Sequence, residues 1–308
     1  MFKKIAKIKI IALTIFIITA CGATEVTNNQ NSADERLNIV STTTIIANLT
    51  EEIGGEKINH RGILPRGADP HVYEPVPQDN ITLENADLIF YNGYDLEPNL
   101  IRLINSSGLN AQTLAVGELV PPLDFEEEGQ MVPDPHVWGN VENVIIMVEG
   151  IRDKLVELKP EGEETFNQNA ETLTQDLQEL HIWIQEQIET IPPFQRQLIT
   201  THDAFQYYGV TYGLEIPGTL IGISTEEQPS AQTVRNLVET IRKKGVRAIF
   251  AETTINPTLI ETVAQEAGIE VAPTELYSDS LGAENSPAGT YIGMMRANTE
   301  TIVNALSN

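Results

Sequence analysis

Glu161-Gly162-Glu163-Glu164-Thr165-Phe166-Asn167-Gln168-Asn169-Ala170-Glu171-Thr172-Leu173-Thr174-Gln175-Asp176-Leu177-Gln178-Glu179-Leu180-His181-Ile182-Trp183-Ile184-Gln185-Glu186-Gln187-Ile188-Glu189-Thr190 carries the longest helical spacing in the chain. Apolar residues recur at Phe166, Ala170, Leu173, Leu177, Leu180, Ile184 and Ile188, in steps of three and four that align them on one face. Pro192-Pro193 ends the pattern. At 1.5 Å per residue such a helix is about 45 Å long, more than one small domain needs. The spacing therefore predicts a rigid helix over 161–191 that joins two lobes. His181 lies within it and reads as a surface or packing residue.

On both sides of this helix the sequence alternates strand-like and helix-like segments, which favours parallel sheets with crossover helices. In the amino-terminal lobe, 37–160, strands are expected at Leu37–Thr43, Ile58–Leu64 and Asp87–Tyr91, with helices at Ile45–Ile53 and Pro77–Ala86. The acid- and proline-rich segment Pro121–Pro135 reads as a solvated loop. In the carboxy-terminal lobe, 192–308, strands are expected at Gln197–Thr201, Val246–Ala251 and Ile269–Ala272. Helices are expected at Ala231–Lys244, Pro257–Ala267 and Gly289–Leu306, and His202 through Phe205 should open a further helix. The fold class is α/β: two lobes, each a mostly parallel sheet flanked by helices, with a ligand cleft between them.

Residues 1–20 read as a leader rather than part of the fold. Lys3, Lys4, Lys7 and Lys9 precede a short apolar run, too short to span a bilayer as a mature helix. The run ends at Ile18-Thr19-Ala20-Cys21-Gly22, which resembles a bacterial lipobox, and Cys21 is the sole cysteine. An internal disulfide is thereby excluded, and a lipid anchor at Cys21 is expected, since two or more acyl chains hold a protein stably to a membrane. Residues 21–36 are small or polar and read as a flexible tether, with a typical reach of about 20 Å. The chain has 44 acidic and 19 basic residues, a formal charge of −25, and four of the basic ones lie in the leader. That balance argues against nucleic acid as a partner.

The site is announced by a repeated phrase. Asp69-Pro70-His71-Val72-Tyr73 returns as Asp134-Pro135-His136-Val137-Trp138, in a chain with five histidines. Two imidazoles in the same frame suggest one shared task, and the commonest for neutral imidazoles is holding a transition metal. His202 follows the Gln197–Thr201 segment, and Asp279 sits in Tyr277-Ser278-Asp279-Ser280-Leu281-Gly282, after the segment near Val271. All four candidates fall on loops, two before the long helix and two after it. Such wide spacing excludes a local finger or a paired-histidine helix and fits loops that meet in a cleft. Asp69, Asp134 and Glu252 are candidates to receive the outer N–H of a ligand imidazole. Tyr73 and Trp138 either pack around the site or belong to the core, Asp203 reads as a helix-start acid, and His60 as structural.

These segments, with the lipobox, Gly67-Ala68-Asp69-Pro70-His71-Val72-Tyr73-Glu74-Pro75 and Thr201-His202-Asp203-Ala204-Phe205-Gln206-Tyr207-Tyr208, resemble the metal-specific solute-binding lipoproteins that serve ABC importers of manganese, zinc and iron. The resemblance implies one metal ion between two α/β lobes, with His71, His136, His202 and Asp279 as its ligands. It also implies an ABC permease as partner, a monomer, and a location at the outer face of the cytoplasmic membrane or in the periplasm. In the family, His at the third position leans towards zinc, whereas zinc-type relatives often carry a His-rich loop that Pro121–Pro135 lacks. Three imidazoles and a carboxylate suit tetrahedral Zn²⁺; a bidentate Asp279 suits Mn²⁺, and Fe²⁺ is compatible with the same donors. The choice between Zn²⁺ and Mn²⁺ stays open. The rival readings are a secreted zinc hydrolase, which the absence of an H-E-x-x-H segment disfavours, and a surface adhesin with a structural metal.

Overall fold

The computed structural model describes residues 36–106, 108–127 and 130–307. The leader, Cys21 and the tether to Glu35 lie outside the described residues. The first half of the chain forms β1 (Leu37–Ser41), α1 (Thr44–Gly54), β2 (Ile58–Gly62), α2 (Pro77–Glu84), β3 (Leu88–Tyr91), α3 (Pro98–Ser106), β4 (Gln112–Ala115), β5 (Asp124–Glu127), β6 (Gln130–Pro133) and α4 (Val141–Leu158). Strands β1 to β4 make one parallel sheet in the order β2-β1-β3-β4. The order reverses between β1 and β3, so a crevice opens at the carboxyl ends of these strands.

This sheet is covered on both faces, which is why its central strands are runs of apolar residues rather than alternations. Ile39, Leu88 and Phe90 face a core shared with α1, α4 and α5. Val40 and Ile89, one residue out of phase, face a second core with Leu83 of α2 and Leu100 of α3. The Thr43 hydroxyl caps α1 by accepting the Ile46 N–H at 3.3 Å. Strand β4 pairs with β3 as the fourth strand, and α3 buries Leu100 and Ile104 beside the sheet; neither element was among those expected. The Pro121–Pro135 segment is not a plain loop: β5 and β6 pair antiparallel within it. Its acids and prolines lower strand propensity, but a short hairpin is held by backbone pairing, which is independent of side-chain type.

The long helix, α5, runs Glu163–Glu189, about 40 Å at 1.5 Å per residue. Every residue of the expected stripe is buried. It is more than a strut, because its apolar face enters a core that contains Ile45 and Leu49 of α1 together with Tyr208 and Leu306 from the far end of the chain. Towards its start, Asn169 donates to the Ile53 carbonyl of α1 at 3.0 Å. Further along, His181 meets the Tyr212 hydroxyl at 3.2 Å, and Trp183 carries the Arg296 guanidinium 4.5 Å above its ring.

The second half forms α6 (Gln206–Tyr212), α7 (Ala231–Lys244), β7 (Ala248–Ile249), α8 (Thr258–Ala267), β8 (Glu270–Val271) and α9 (Tyr291–Ser307). Strands β7 and β8 are parallel. Helix α7 ends where expected, at Gly245, whose φ of 67° is the left-handed conformation glycine adopts freely. The strands are shorter than expected. Gln197–Thr201 makes only a single bridge, Gln197 with Glu215, although the Ile199 carbonyl accepts the Phe250 N–H at 2.9 Å. Its last carbonyl, on Thr201, turns to coil donors at Leu220 and Ile221, so the ladder stops there. No helix among the described residues is long and apolar enough to cross a membrane.

Because the α5 stripe belongs to a core reaching both halves, Leu180→Ala is expected to lower unfolding free energy by about 2–5 kcal/mol. Urea denaturation followed by circular dichroism measures this; a loss near zero would show that the stripe is not structural.

Candidate metal centre

Four loops deliver the site. His71 lies between β2 and α2, His136 after β6, His202 just before α6, and Asp279 between β8 and α9. One donor atom from each lies within 4.8 Å of the others. His71 Nε2 is 3.2 Å from His136 Nε2, His136 Nε2 is 3.5 Å from Asp279 Oδ1, and His202 Nε2 is 3.2 Å from Asp279 Oδ2. All four residues are buried. His202 Nε2 and both oxygens of Asp279 have no hydrogen-bond partner, so the 3.2 Å approach is an ion-pair contact without hydrogen-bond geometry. Buried polar atoms are nearly always paired. Imidazole nitrogens converging on a carboxylate whose two oxygens are unpartnered are the arrangement a cation would satisfy.

The loops are held by specific contacts. In both repeated phrases the aspartate Oδ1 accepts the histidine main-chain N–H two residues on, at 2.9 Å for Asp69 with His71 and 2.9 Å for Asp134 with His136. This turn explains the shared Asp-Pro-His frame. Beyond it the copies diverge. Asp134 Oδ1 also meets His136 Nδ1 at 2.7 Å, as expected for an orienting carboxylate. Asp69 does not reach a ring nitrogen; its Oδ2 accepts the Thr225 hydroxyl at 2.6 Å, from a loop of the second half. Glu252 orients His202 from two sides, accepting its main-chain N–H at 2.8 Å and meeting Nδ1 at 2.6 Å.

Trp138 stands edge-on to His136 with ring centroids 5.4 Å apart, donates Nε1–H to the Ser278 carbonyl at 3.0 Å, and accepts the Tyr291 hydroxyl at 2.7 Å. Tyr73 does not join it; its hydroxyl donates to Asp79 at 2.9 Å, in the core beneath α2 and α3. His60 is tied to Glu51 and Ser41, and His181 to Tyr212, both outside the cluster. Asp203 precedes α6 by three residues and accepts the Gln206 side-chain amide at 2.8 Å. The Asp279 loop is clamped to the first half. Arg66 Nη1 donates to the carbonyls of Gly282 and Gly289, both at 2.8 Å. Gly67 N–H donates to Ser280 Oγ at 2.7 Å, and Leu281 N–H to Thr44 Oγ1 at 2.9 Å.

The sequence offered no signal for Glu97. Its side chain is fully buried at the carboxyl ends of β1 and β3, where Oε1 accepts the Thr42 hydroxyl and the Asn92 N–H, both at 2.7 Å. Burial pushes its carboxyl up to about 7. Asn92 in turn donates to the Pro135 carbonyl at 2.9 Å, beside His136. A buried acid of this kind is visible only once the strand ends are placed side by side.

The electrostatics separate the imidazoles. Burial pushes His71 down to about 3, against the pull of Asp279. At His202 burial acts in the same direction, but the Glu252 carboxylate and then Asp279 outweigh it and hold the ring well above its ordinary value. Burial opposes ionisation of Asp279, yet the imidazoles, His202 foremost, keep its carboxyl below the usual carboxylate range.

Residues 39–305 match the profile of the family described as zinc-uptake complex component A, periplasmic (ZnuA), and the chain belongs to that family. It is 36% identical over 305 residues to the manganese-binding lipoprotein MntA of Halalkalibacterium halodurans, covering 99% of each chain. It is 30% identical over 313 residues to the manganese ABC transporter substrate-binding lipoprotein PsaA of Streptococcus pneumoniae, covering 99% of each. Among solved structures, the periplasmic zinc binding protein TroA from Treponema pallidum superposes with a TM-score of 0.84 at 31% identity, over 89% of this chain and 100% of that one. The Mn-bound periplasmic metal binding protein from Candidatus Liberibacter asiaticus gives a TM-score of 0.77 at 25% identity, over 87% and 98%.

In chelator-treated protein at pH 7, His202 is expected to be an imidazolium and His71 a neutral ring. Long-range nitrogen–proton NMR correlations report both states; a neutral His202 at that pH would refute the pairing with Glu252 and Asp279.

Proposed function

We propose that this chain captures one Zn²⁺ or Mn²⁺ ion outside the cytoplasmic membrane through His71, His136, His202 and Asp279, and delivers it to the permease of an ABC importer. Fe²⁺ is served by the same donors. The observation that carries the reading is the convergence of four buried donor residues whose inward-facing atoms include a carboxylate with no hydrogen-bond partner. Membership of the family, and relatives named as manganese-binding and zinc-binding proteins, support metal import as the purpose. We place the chain as a monomer held by lipidated Cys21 at the outer face of the membrane or in the periplasm. Its lobes span 37–160 and 192–308 and are linked by 161–191. We read it as a binding protein rather than an enzyme. Four protein donors close a tetrahedral shell, whereas catalytic zinc keeps one position for water.

Metal content of protein purified from its native envelope, paired with uptake in a deletion strain, tests the reading. Uptake of Mn, Zn or Fe should fall on deletion, and unchanged uptake of all three would sink it. His71→Ala and His202→Ala should give folded, metal-poor protein, whereas a structural metal in an adhesin predicts that both unfold.

The pH dependence has a definite sign. Ligation needs a neutral imidazole, and in the metal-free site His202 is held protonated by Glu252 and Asp279. Below that raised value the metal must displace one proton from His202, so affinity weakens as pH falls, by about tenfold per pH unit. His71, already deprotonated down to about pH 3, adds no proton competition in the neutral range. Affinity that is flat between about pH 5 and 7.5 would count against an imidazole-rich site.

A further inference from the structure

The three imidazoles are not equally tied. The outer nitrogens of His136 and His202 rest on the buried carboxylates of Asp134 and Glu252. The outer nitrogen of His71 has no hydrogen-bond partner among the described residues, although His71 is only 2% exposed. The aspartate that its own sequence frame supplies is diverted to Thr225. Apart from its contact with His136 Nε2, the His71 ring is held through its backbone turn, and it is the one imidazole of the three with no carboxylate behind it.

His71 also lines a cavity of about 570 Å³ whose wall includes Tyr94, Asp95, Glu118, Pro135 and Ser224. Pro135 immediately precedes His136. Asp95 and Glu118 are exposed carboxylates, and among the described residues no lysine or arginine lines the space. Gly93, Tyr94 and Asp95 all have left-handed φ values, 84°, 50° and 58°. Glu118 accepts the Tyr94 N–H at 3.1 Å and so fixes this turn at the wall. Tyr94, Asp95 and Glu118 come from the first half of the chain. Ser224 comes from the second, next to the Thr225 hydroxyl that anchors Asp69. A cation with six waters needs roughly 200 Å³ at about 30 Å³ per water, so a hydrated dication fits.

The geometry points to this cavity as the route by which a divalent transition metal reaches and leaves the four-residue cluster, with His71 as its first protein contact. This rests on the metal-binding reading above. The two carboxylates on its wall draw cations towards it, and the His71 imidazole at its inner end, with no carboxylate behind it, can turn towards an ion that still carries water. The other ligands, pre-oriented by Asp134 and Glu252, then replace the remaining shell.

Stopped-flow measurement with Zn²⁺ and with Mn²⁺, using a chelating fluorophore for release, tests the route. Equilibrium binding by the unaltered protein is measured first; no binding there would overturn the function, not the route. Ser224→Trp narrows the cavity and replaces none of the four ligands. It is expected to slow association and dissociation alike, by about tenfold, with Kd unchanged. Asp95→Asn combined with Glu118→Gln should lower the association rate by roughly tenfold at low ionic strength and flatten its salt dependence. Wild-type association rates in Ser224→Trp, with binding retained, would overturn the proposal. If that variant does not fold, the doubly neutralised variant decides: an unchanged association rate and salt dependence reject the route.

Discussion

The Asp279 carboxylate sits among the imidazoles of His71, His136 and His202 with both oxygens enclosed and neither given a hydrogen-bond partner. An unpaired buried charge costs several kcal/mol, so the surrounding structure has to bring positive charge to it and keep the halves of the chain in place while doing so. The His202 ring, which Glu252 and Asp279 hold well above its ordinary pKa, stands 3.2 Å from Asp279, and Glu252 steadies it from behind. The Arg66 contacts with Gly282 and Gly289, and the hydroxyls of Ser280 and Thr44, hold the Asp279 loop against the His71 loop. Helix α5 sets the frame for these loops, since its buried stripe joins a core drawn from both halves.

Much of this was readable before the structure. The Phe166-to-Ile188 stripe marks α5 to within two residues at its start, because a period of 3.6 over seven turns is hard to produce by accident. Helix α7 with Gly245 is equally plain. The strands of the second half were overextended, since apolar β-branched runs mark burial but not where a ladder ends; at Thr201 it ends because the carbonyl finds coil donors. The β5–β6 hairpin was missed because backbone pairing left no trace in an acid- and proline-rich composition. At the site, the four converging residues were legible from the repeated phrase, from loop positions at strand ends and from the family likeness. Glu97 was not, because its partners Thr42 and Asn92 are adjacent only in space.

The two Asp-Pro-His copies show how far a repeated phrase can be trusted. What repeats is the turn: aspartate oxygen to histidine N–H, at the same 2.9 Å in each. What does not repeat is the use of the remaining lone pairs. Asp134 turns the same Oδ1 to Nδ1 of the imidazole it precedes and leaves Oδ2 unpartnered, whereas Asp69 gives Oδ2 to Thr225 across the molecule. Local sequence fixes the backbone of both loops alike, and long-range contacts then give their aspartates different partners.

The depth of the cluster has a further consequence. Each of its four residues is at most 2% exposed, so a cation seated there must surrender its water almost completely. Mg²⁺ dehydrates reluctantly and demands six close oxygens, and Ca²⁺ takes six to eight. The cluster offers two oxygens and three nitrogens. Such a donor set suits alkaline-earth ions poorly, through their hydration more than their size. A scarce ion with an appetite for imidazole can fill the site in their presence without the protein having to recognise, and reject, each competitor in turn.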